Sequence, residues 1–473
     1  MAKPNAWKMA GVVFVLCAAT AIAAQAQTFN TLLNFDGTTN GNDPYLMSLV
    51  QGVDGNLYGT TSDGGPHSGG TVFKISSRGA LTTLYSFCAQ TNCADGSNPQ
   101  GSLVLGTDGN FYGTTTAGGN GNCPEGCGTV FKISARGKLT ILHSFDGPDG
   151  YWPYGALVQA IDGNFYGTTS SGGTHGYGTA FKMTQAGVLT TLYGFCAEHN
   201  CADGAEPYAG LIQAIDGNFY GTTYIGGAED CSQGCGTIFT MSPTGVLTTL
   251  HSFDESDGAY PYGTGLLQAS DRSIYGTTTF SATTYGTVFK ITTGDRFTTV
   301  HAFDFTDGST PKAGLIQGTD GNLYGTTTKG GADAYGTVFT IISGGKLITL
   351  HSFDGAEGSP GGALVQATDG SFYGATSSGG TYNDGTVFSL DMGLGPFVAL
   401  VRAAGSVGQI GGILGQGFTG TTSVLLNGTP ASFTVVSDTF IEATVPAGAT
   451  TGYVSVATPG GTLTSNVPFR VLP

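Results

Sequence analysis

An all-β chain is predicted, a seven-bladed β-propeller closed by its N-terminal strand and followed by a second, smaller unit, on three observations. A long motif recurs seven times, each copy reads as four short strands, and the strand missing from the last copy stands ahead of the first. In its third copy the motif runs Asp162-Gly163-Asn164-Phe165-Tyr166-Gly167-Thr168-Thr169, then Ser170-Ser171-Gly172-Gly173 and Gly178-Thr179-Ala180-Phe181-Lys182. Its Tyr-Gly core falls at Tyr58, Tyr112, Tyr166, Tyr220, Tyr275, Tyr324 and Tyr373, spaced by 54 or 55 residues and then by 49. Four strands per copy is the period of a propeller blade, because one small sheet cannot bury both faces alone but several arranged radially can.

The third copy shows how each strand is read. Ala156 to Ile161 is the first, and Asp162-Gly163 turns the chain, a favoured hairpin pair where both central positions call for positive φ. The second strand is Asn164 to Thr169, the third Gly178 to Thr184, and the fourth Val188 to Phe195. The seventh copy stops after Gly385 to Leu390, without a fourth strand. Thr28 to Asp36 matches that fourth-strand pattern, as seen in Leu139 to Asp146, so it is expected to complete the last sheet and remove two exposed edges.

Composition bounds the rest. With 81 glycines in 473 residues and only 10% charged side chains, tight turns and uncharged polar surface replace a salt-laced exterior. Disorder does not account for the glycine, since 28 Phe and 21 Tyr keep a fixed phase in the repeats. Residues 1–26 read as a signal peptide: Lys3 and Lys8, an apolar stretch from Val12 to Ala24, and Ala24-Gln25-Ala26 before the cut. That stretch is shorter than the ~20 residues of a spanning helix. Leu16 ahead of Cys17 argues for plain cleavage over lipidation. Losing Lys3 and Lys8 moves the formal charge from −16 to −18. So acidic a chain repels phosphate backbones, which excludes nucleic acid as a partner. No later apolar run reaches membrane-spanning length, and Val471-Leu472-Pro473 carries no anchor, so a secreted or extracytoplasmic protein is expected.

The repeated Asp-Gly-Asn-x-Tyr-Gly-Thr-Thr-x-x-Gly-Gly, Gly-Thr-Val-Phe and Gly-x-Leu-Thr-Thr-Leu-x-Ser-Phe resemble the GloVer tandem repeat of exported bacterial proteins, over roughly residues 28 to 392. The resemblance implies export and an array paired with one of several C-terminal anchors, from which this chain departs by showing no evident anchor; it implies no activity. The propeller is placed at 27–392 and a linker, Gly393-Leu394-Gly395-Pro396, at 393–396. Residues 397–473 read as alternating short strands with turns at Asn427-Gly428 and Pro459-Gly460-Gly461. The segments from Gly408 to Gly412, Val424 to Gly428, Ala431 to Ser437, Ile441 to Pro446 and Gly452 to Ala457 resemble an IPT/TIG domain. That resemblance implies a small immunoglobulin-like β-sandwich, a spacer or contact module.

Eight cysteines remain after the leader: Cys88/Cys93, Cys123/Cys127, Cys196/Cys201 and Cys231/Cys235. Propeller topology puts all eight cysteines, in four loops, on one face. An even count in an exported chain favours disulfides between near neighbours, each closing a short loop and worth about 2 kcal/mol on the chain-entropy model. A tetrathiolate zinc site is the competing reading. His143, His251, His301 and His351 share one repeat position, filled by Tyr85 and Tyr193 elsewhere; different blades keep them apart, so a structural role is expected. Gly415-Gln416-Gly417-Phe418-Thr419-Gly420 has dinucleotide-loop spacing without a strand-to-helix setting, so it carries no such reading.

The loops entering each first strand carry the candidate site. They contain Asp43-Pro44-Tyr45, Trp152-Pro153-Tyr154, Glu206-Pro207-Tyr208 and Tyr260-Pro261-Tyr262, with Asp-Gly pairs upstream in most. Tyr45, Trp152, Tyr154, Tyr208, Tyr260 and Tyr262 are expected to ring the mouth of the central channel beside carboxylates, an arrangement suited to sugar faces and hydroxyls. The competing reading packs Pro-Tyr between blades and leaves Asp-Gly to turn the chain. Asp63, Glu125, Glu229, Asp230, Asp333 and Asp384 on the same face make calcium conceivable, without the dense alternation of a calcium loop.

The expected function is therefore an exported, non-catalytic binding or scaffold protein, its propeller face holding a glycan or a surface protein. One alternative is a carbohydrate-active enzyme at the channel mouth, a glycoside hydrolase or lyase, for which only Glu206 and Glu229 offer scattered acids where a facing pair is needed. The other is a structural or adhesion component of the cell surface.

Overall fold

The computed structural model describes residues 27–121, 123, 125–227, 231–263, 265–292 and 294–473. The leader assigned to 1–26, and Glu229 and Asp230, lie outside them. The described part is all-β. Its repeats form four-stranded antiparallel sheets, numbered one to seven in chain order, at residues 50–86, 104–144, 158–194, 212–252, 267–302, 316–352 and 365–391, consistent with propeller-like blades. The seventh takes its fourth strand from Thr28–Asn34, which pairs antiparallel with Thr386–Asp391, Phe29 opposite Leu390 and Thr31 opposite Phe388. The offset of the termini was legible in the sequence.

The motif explains itself in the ladder. In sheet three Gly167 lies opposite Phe181, and a Cβ on that glycine would stand 2.7 Å from the Phe181 ring. Thr169 Oγ1 and Thr179 Oγ1 are 2.9 Å apart, buried across the second and third strands, and all seven sheets repeat the pair. The Asp-Gly turn differs from expectation. Gly163 alone has positive φ, +82°, while Asp162 does not; its carboxylate instead accepts the Asn164 N–H at 3.0 Å.

First strands are also shorter than expected. In sheet three only Val158–Gln159 ladder, against the predicted Ala156 to Ile161. The upstream half lies against the next sheet instead: the Ala156 carbonyl crowds Gly210, and Thr168 Oγ1 donates to the Ala209 carbonyl at 2.9 Å. Sheets are joined by apolar clusters, each built from two neighbours. Phe165, Phe181 and Met183 of sheet three pack with Val130 and Phe145 of sheet two, and the series runs round until Tyr373 and Val387 of sheet seven meet Leu57 and Phe73 of sheet one. Glutamines at the end of the first strands add polar stitches, as where Gln159 Oε1 accepts Thr107 N–H at 2.9 Å and Gln51 accepts Thr368 N–H at 3.0 Å.

Beyond Asp391 two further four-stranded sheets share one core of Val398, Ile413, Phe418, Val424, Ile441 and Val456. A parallel pair, Ala404–Ser406 with Arg470–Leu472, joins them. Asn427 and Gly428 both take positive φ in the expected turn. This region rests on the end of the repeats that carries the Asp-Gly turns: Leu414 packs among residues of sheets one and two, and Thr439 Oγ1 donates to the Val53 carbonyl at 2.7 Å. The other end, where the cysteine and proline loops emerge, is left uncovered by it.

Candidate binding face

The structure forms four disulfides between near neighbours, Cys88–Cys93, Cys123–Cys127, Cys196–Cys201 and Cys231–Cys235. They stiffen loops of the uncovered end. The Asp of each Asp-Gly loop is engaged, which sequence reasoning missed. His143 Nε2 meets Asp149 at 2.6 Å, His251 meets Asp257 at 2.8 Å and His301 meets Asp307 at 2.8 Å. His351 pairs with Glu357 at 2.8 Å, and Tyr85 and Tyr193 donate to Asp95 and Asp203 at 2.8 Å. One repeat position on the outer strand thus ties down the carboxylate of the following loop, and these acids are not offered to a ligand.

The six aromatics expected at the rim separate into two sets. Those after the proline pack on each other. The rings of Tyr154 and Tyr208 are 5.0 Å apart, as are those of Tyr208 and Tyr262. Lys312 lies over Tyr45 and Tyr262 at 5.2 and 5.6 Å and donates to the Tyr45 hydroxyl at 2.8 Å. Tyr45 and Tyr262 are hydrogen-bonded in turn. Side chains from the loops of sheets one, three, four, five and six therefore make one contacting cluster. Burial raises the Tyr262 and Tyr208 hydroxyls above the usual phenol range.

The second set, Trp152 and Tyr260, precedes the proline and shares an unusual backbone. Asp43, Asn98, Trp152, Glu206, Tyr260 and Thr310, the residues before six loop prolines, all have φ between +50° and +60°. The left-handed region costs a residue with a Cβ about 1–2 kcal/mol. Each is clamped on both sides. Trp152 N–H donates to the Cys127 carbonyl at 3.2 Å, and its own carbonyl accepts Ser170 N–H at 3.1 Å. Glu206 is held the same way by Tyr177 and Tyr224, and Tyr260 by Cys235 and Thr279. Two half-buried acids of this group are perturbed. Burial, then the Asp63 carboxylate, raise Asp43 to about 6 against the opposing pull of Ser62 and Lys312, and burial raises Glu206 against the Tyr208 hydroxyl.

Around them stand exposed aromatics that sequence reasoning passed over. Tyr177, Tyr285 and Tyr335 share one repeat position, just before Gly-Thr, and are 42%, 51% and 44% exposed. Phe280, Phe305 and Tyr382 are exposed in loops of the same end. Among the described residues, the exposed aliphatics Val188, Val246 and Ile215 lie in turns of the opposite end. The shared position was a signal that the repeat alignment contained.

Among the described residues no three His, Cys, Asp or Glu side chains gather to hold an ion. The backbone carbonyls of Asp63 and Asp384 accept the N–H groups of Asn42 and Asp43. A cavity of about 230 Å³ lies elsewhere, between Thr107 and Gly109 of the repeats and Arg402, Gln409 and Phe440.

Comparison with known proteins fits this architecture. The Gloeobacter/Verrucomicrobia repeat matches residues 6–233 and 216–432, most of the chain. The chain belongs to the Gloeobacter/Verrucomicrobia repeat family. An IPT/TIG domain matches residues 398–471, the region with the two extra sheets. No curated protein matches the sequence. Among solved structures, the extracellular domain of a hybrid two-component system from Bacteroides thetaiotaomicron aligns at TM-score 0.51 and 12% identity, over 93% of this chain and 58% of that one. A fungal alcohol oxidase in complex with copper aligns at TM-score 0.49 and 13% identity, over 94% of each. The first of these likenesses is one of fold. No helix among the described residues is long and apolar enough to cross a membrane.

The opposite end of the repeats supplies a prediction. The Asp162 carboxyl is pushed up by burial, yet Lys182 at 2.8 Å, Asn164 and the Tyr166 hydroxyl at 2.9 Å outweigh that and hold it at about 2. Asp108 and Asp271 are lowered by equivalent partners. Depressed carboxyls contribute stability that is whole above the ordinary carboxylate pKa of about 4 and is lost as pH falls through the folded value. The melting temperature is expected to drop between pH 4 and 2, and less steeply in the Asp108→Asn, Asp162→Asn, Asp271→Asn triple variant. An unchanged slope would assign acid loss to other groups.

Proposed function

We propose that this is an exported, non-catalytic binding protein whose seven sheets close into a seven-bladed propeller. Residues 397–473 form an immunoglobulin-like spacer beneath it, and the uncovered loop face holds a polysaccharide. Closure is supported by the Thr28–Asn34 strand and by the cluster shared between sheets seven and one. Export is supported by the leader pattern and the four disulfides, which form in oxidising compartments. The observation that carries the binding reading is the segregation of exposed aromatics within the repeats: Trp152, Tyr177, Phe280, Tyr285, Phe305, Tyr335 and Tyr382 all belong to loops of one end. Water-facing rings in such number mark a surface that meets a partner. In a chain of net charge −16, flat apolar rings among hydroxyls and amides suit sugar faces better than anionic partners.

The test is native affinity electrophoresis of the mature protein in gels containing hydroxyethyl cellulose, galactomannan or β-1,3-glucan. Retardation by at least one is expected, and Tyr285→Ala, Tyr335→Ala, Tyr382→Ala together should weaken it about tenfold or more while leaving the melting temperature in place. A wild type that runs freely through all of them would remove the polysaccharide reading and leave a protein partner for this face.

A further inference from the structure

We infer that the six residues before the loop prolines, Asp43, Asn98, Trp152, Glu206, Tyr260 and Thr310, are the specificity-determining positions of the loop face, reading a neutral, hydroxyl-rich sugar chain. The inference deepens the binding reading above and rests on it. Backbone and side chain point to it separately.

The backbone is constant. All six positions are left-handed, and each is bonded through its N–H to a loop of the preceding sheet and through its C=O to a loop of its own. Sterics disfavour this conformation for any side chain with a Cβ, and a following proline restricts the residue further. Glycine would meet the backbone requirement without strain. A chain with 81 glycines places none here. Strain retained at equivalent places, where the relieving residue is abundant, points to side chains that are needed there.

The side chains are not constant. They are two aromatics, two carboxylic acids, an amide and a hydroxyl, with no cation among them. Rings stack on sugar faces, while acids, amide and hydroxyl exchange hydrogen bonds with sugar hydroxyls. An acidic polysaccharide would meet two carboxyls and no compensating base. The tyrosines two residues on, Tyr45, Tyr154, Tyr208 and Tyr262, pack instead against each other and Lys312, and the Tyr208 hydroxyl also bonds Glu206.

The clamps fit the same purpose. The carbonyls that hold Trp152 and Tyr260 belong to Cys127 and Cys235, each an end of a disulfide. Two of the four bridges thus stiffen the mounts of the two rings. A preorganised ring loses less freedom on binding and so contributes more to affinity.

The experiment uses single substitutions to asparagine, which takes this conformation readily and already stands at Asn98. Trp152→Asn, Glu206→Asn and Tyr260→Asn are run by affinity electrophoresis against hydroxyethyl cellulose, galactomannan, β-1,3-glucan and polygalacturonate, with melting temperatures alongside. Trp152→Asn and Tyr260→Asn should weaken retention about tenfold, and Glu206→Asn should reorder the neutral polysaccharides. The melting temperature should hold, because strain is relieved where contact is lost. Trp152→Gly supplies the same readout should the asparagine variant melt early. If the wild type is retained and all the variants keep its affinity and ranking, this inference falls and the binding reading stands. Preferential retention by polygalacturonate overturns the neutral chemistry, and a wild type retained by nothing overturns both readings.

Discussion

Phe181→Ala is expected to destabilise the protein by about 4 kcal/mol and Gly167→Ala by about 2 kcal/mol, with the two effects strongly coupled. Phe181 is fully buried between sheets two and three, 5.4 Å from the ring of Phe145. Its truncation leaves a cavity that rigid neighbouring sheets cannot fill. Gly167 is extended, so its requirement is one of space: a Cβ would meet the Phe181 ring at 2.7 Å and Leu157 at 2.9 Å. In a Phe181→Ala background the phenyl obstruction is gone and Leu157 has room to give way into the void, which the alanine at 167 then partly fills. The double variant should be more stable than the sum of the single losses predicts by about 1 kcal/mol or more. Urea denaturation of the four proteins measures it. Strict additivity would mean that glycine is required for a reason other than the phenyl ring over it. The same geometry at Gly113 with Phe131 and at Gly221 with Phe239 makes the cost a property of the motif.

What the sequence revealed and what it hid follow a physical line. Ladder contacts repeat with the chain, so strand identity, the offset termini and the Cys88–Cys93 type of bridge could be read from phase and spacing. Contacts set by the path of a loop through space could not. His143 and Asp149 are six residues apart, yet nothing in that spacing says that the loop doubles back onto the outer strand. Tyr154, Tyr208 and Tyr262 could be placed on one end from topology; that they touch depends on how far the first strands converge. The left-handed backbone at Trp152 was hidden for an opposite reason. Local preference argues against it, and only the bonds from Cys127 and Ser170 in two separate loops impose it. Tyr177, Tyr285 and Tyr335 were legible and overlooked, because a residue that varies between copies, Cys127 or Asp384 in others, does not stand out as motif.

Removal of residues 27–36, in a chain that otherwise begins at Gln27, is expected to abolish cooperative unfolding. Thr28–Asn34 pairs along nearly its whole length with Thr386–Asp391, so its loss exposes a row of unpaired groups on a long, flat edge. Phe29, stacked on His351 at 3.8 Å and 5.3 Å from Phe388, would leave the cluster between sheets six and seven. Phe35, fully buried 5.3 Å from Phe73, would leave the cluster that joins sheet seven to sheet one. Fully buried Phe35 is worth about 3–5 kcal/mol, and with half-buried Phe29 and the lost ladder added this is a large share of the roughly 5–15 kcal/mol that holds a typical domain folded. Phe35→Ala alone tests the junction without the edge: it should cost about as much as Phe145→Ala, its counterpart between sheets two and three, if the first and last sheets are joined as tightly as any other pair. A truncated protein that still melts in one sharp transition near the wild-type temperature would show that the array stands without its closing strand. In that case Phe35→Ala should be far milder than Phe145→Ala, and the loop face would have to be reconsidered as the rim of an open stack.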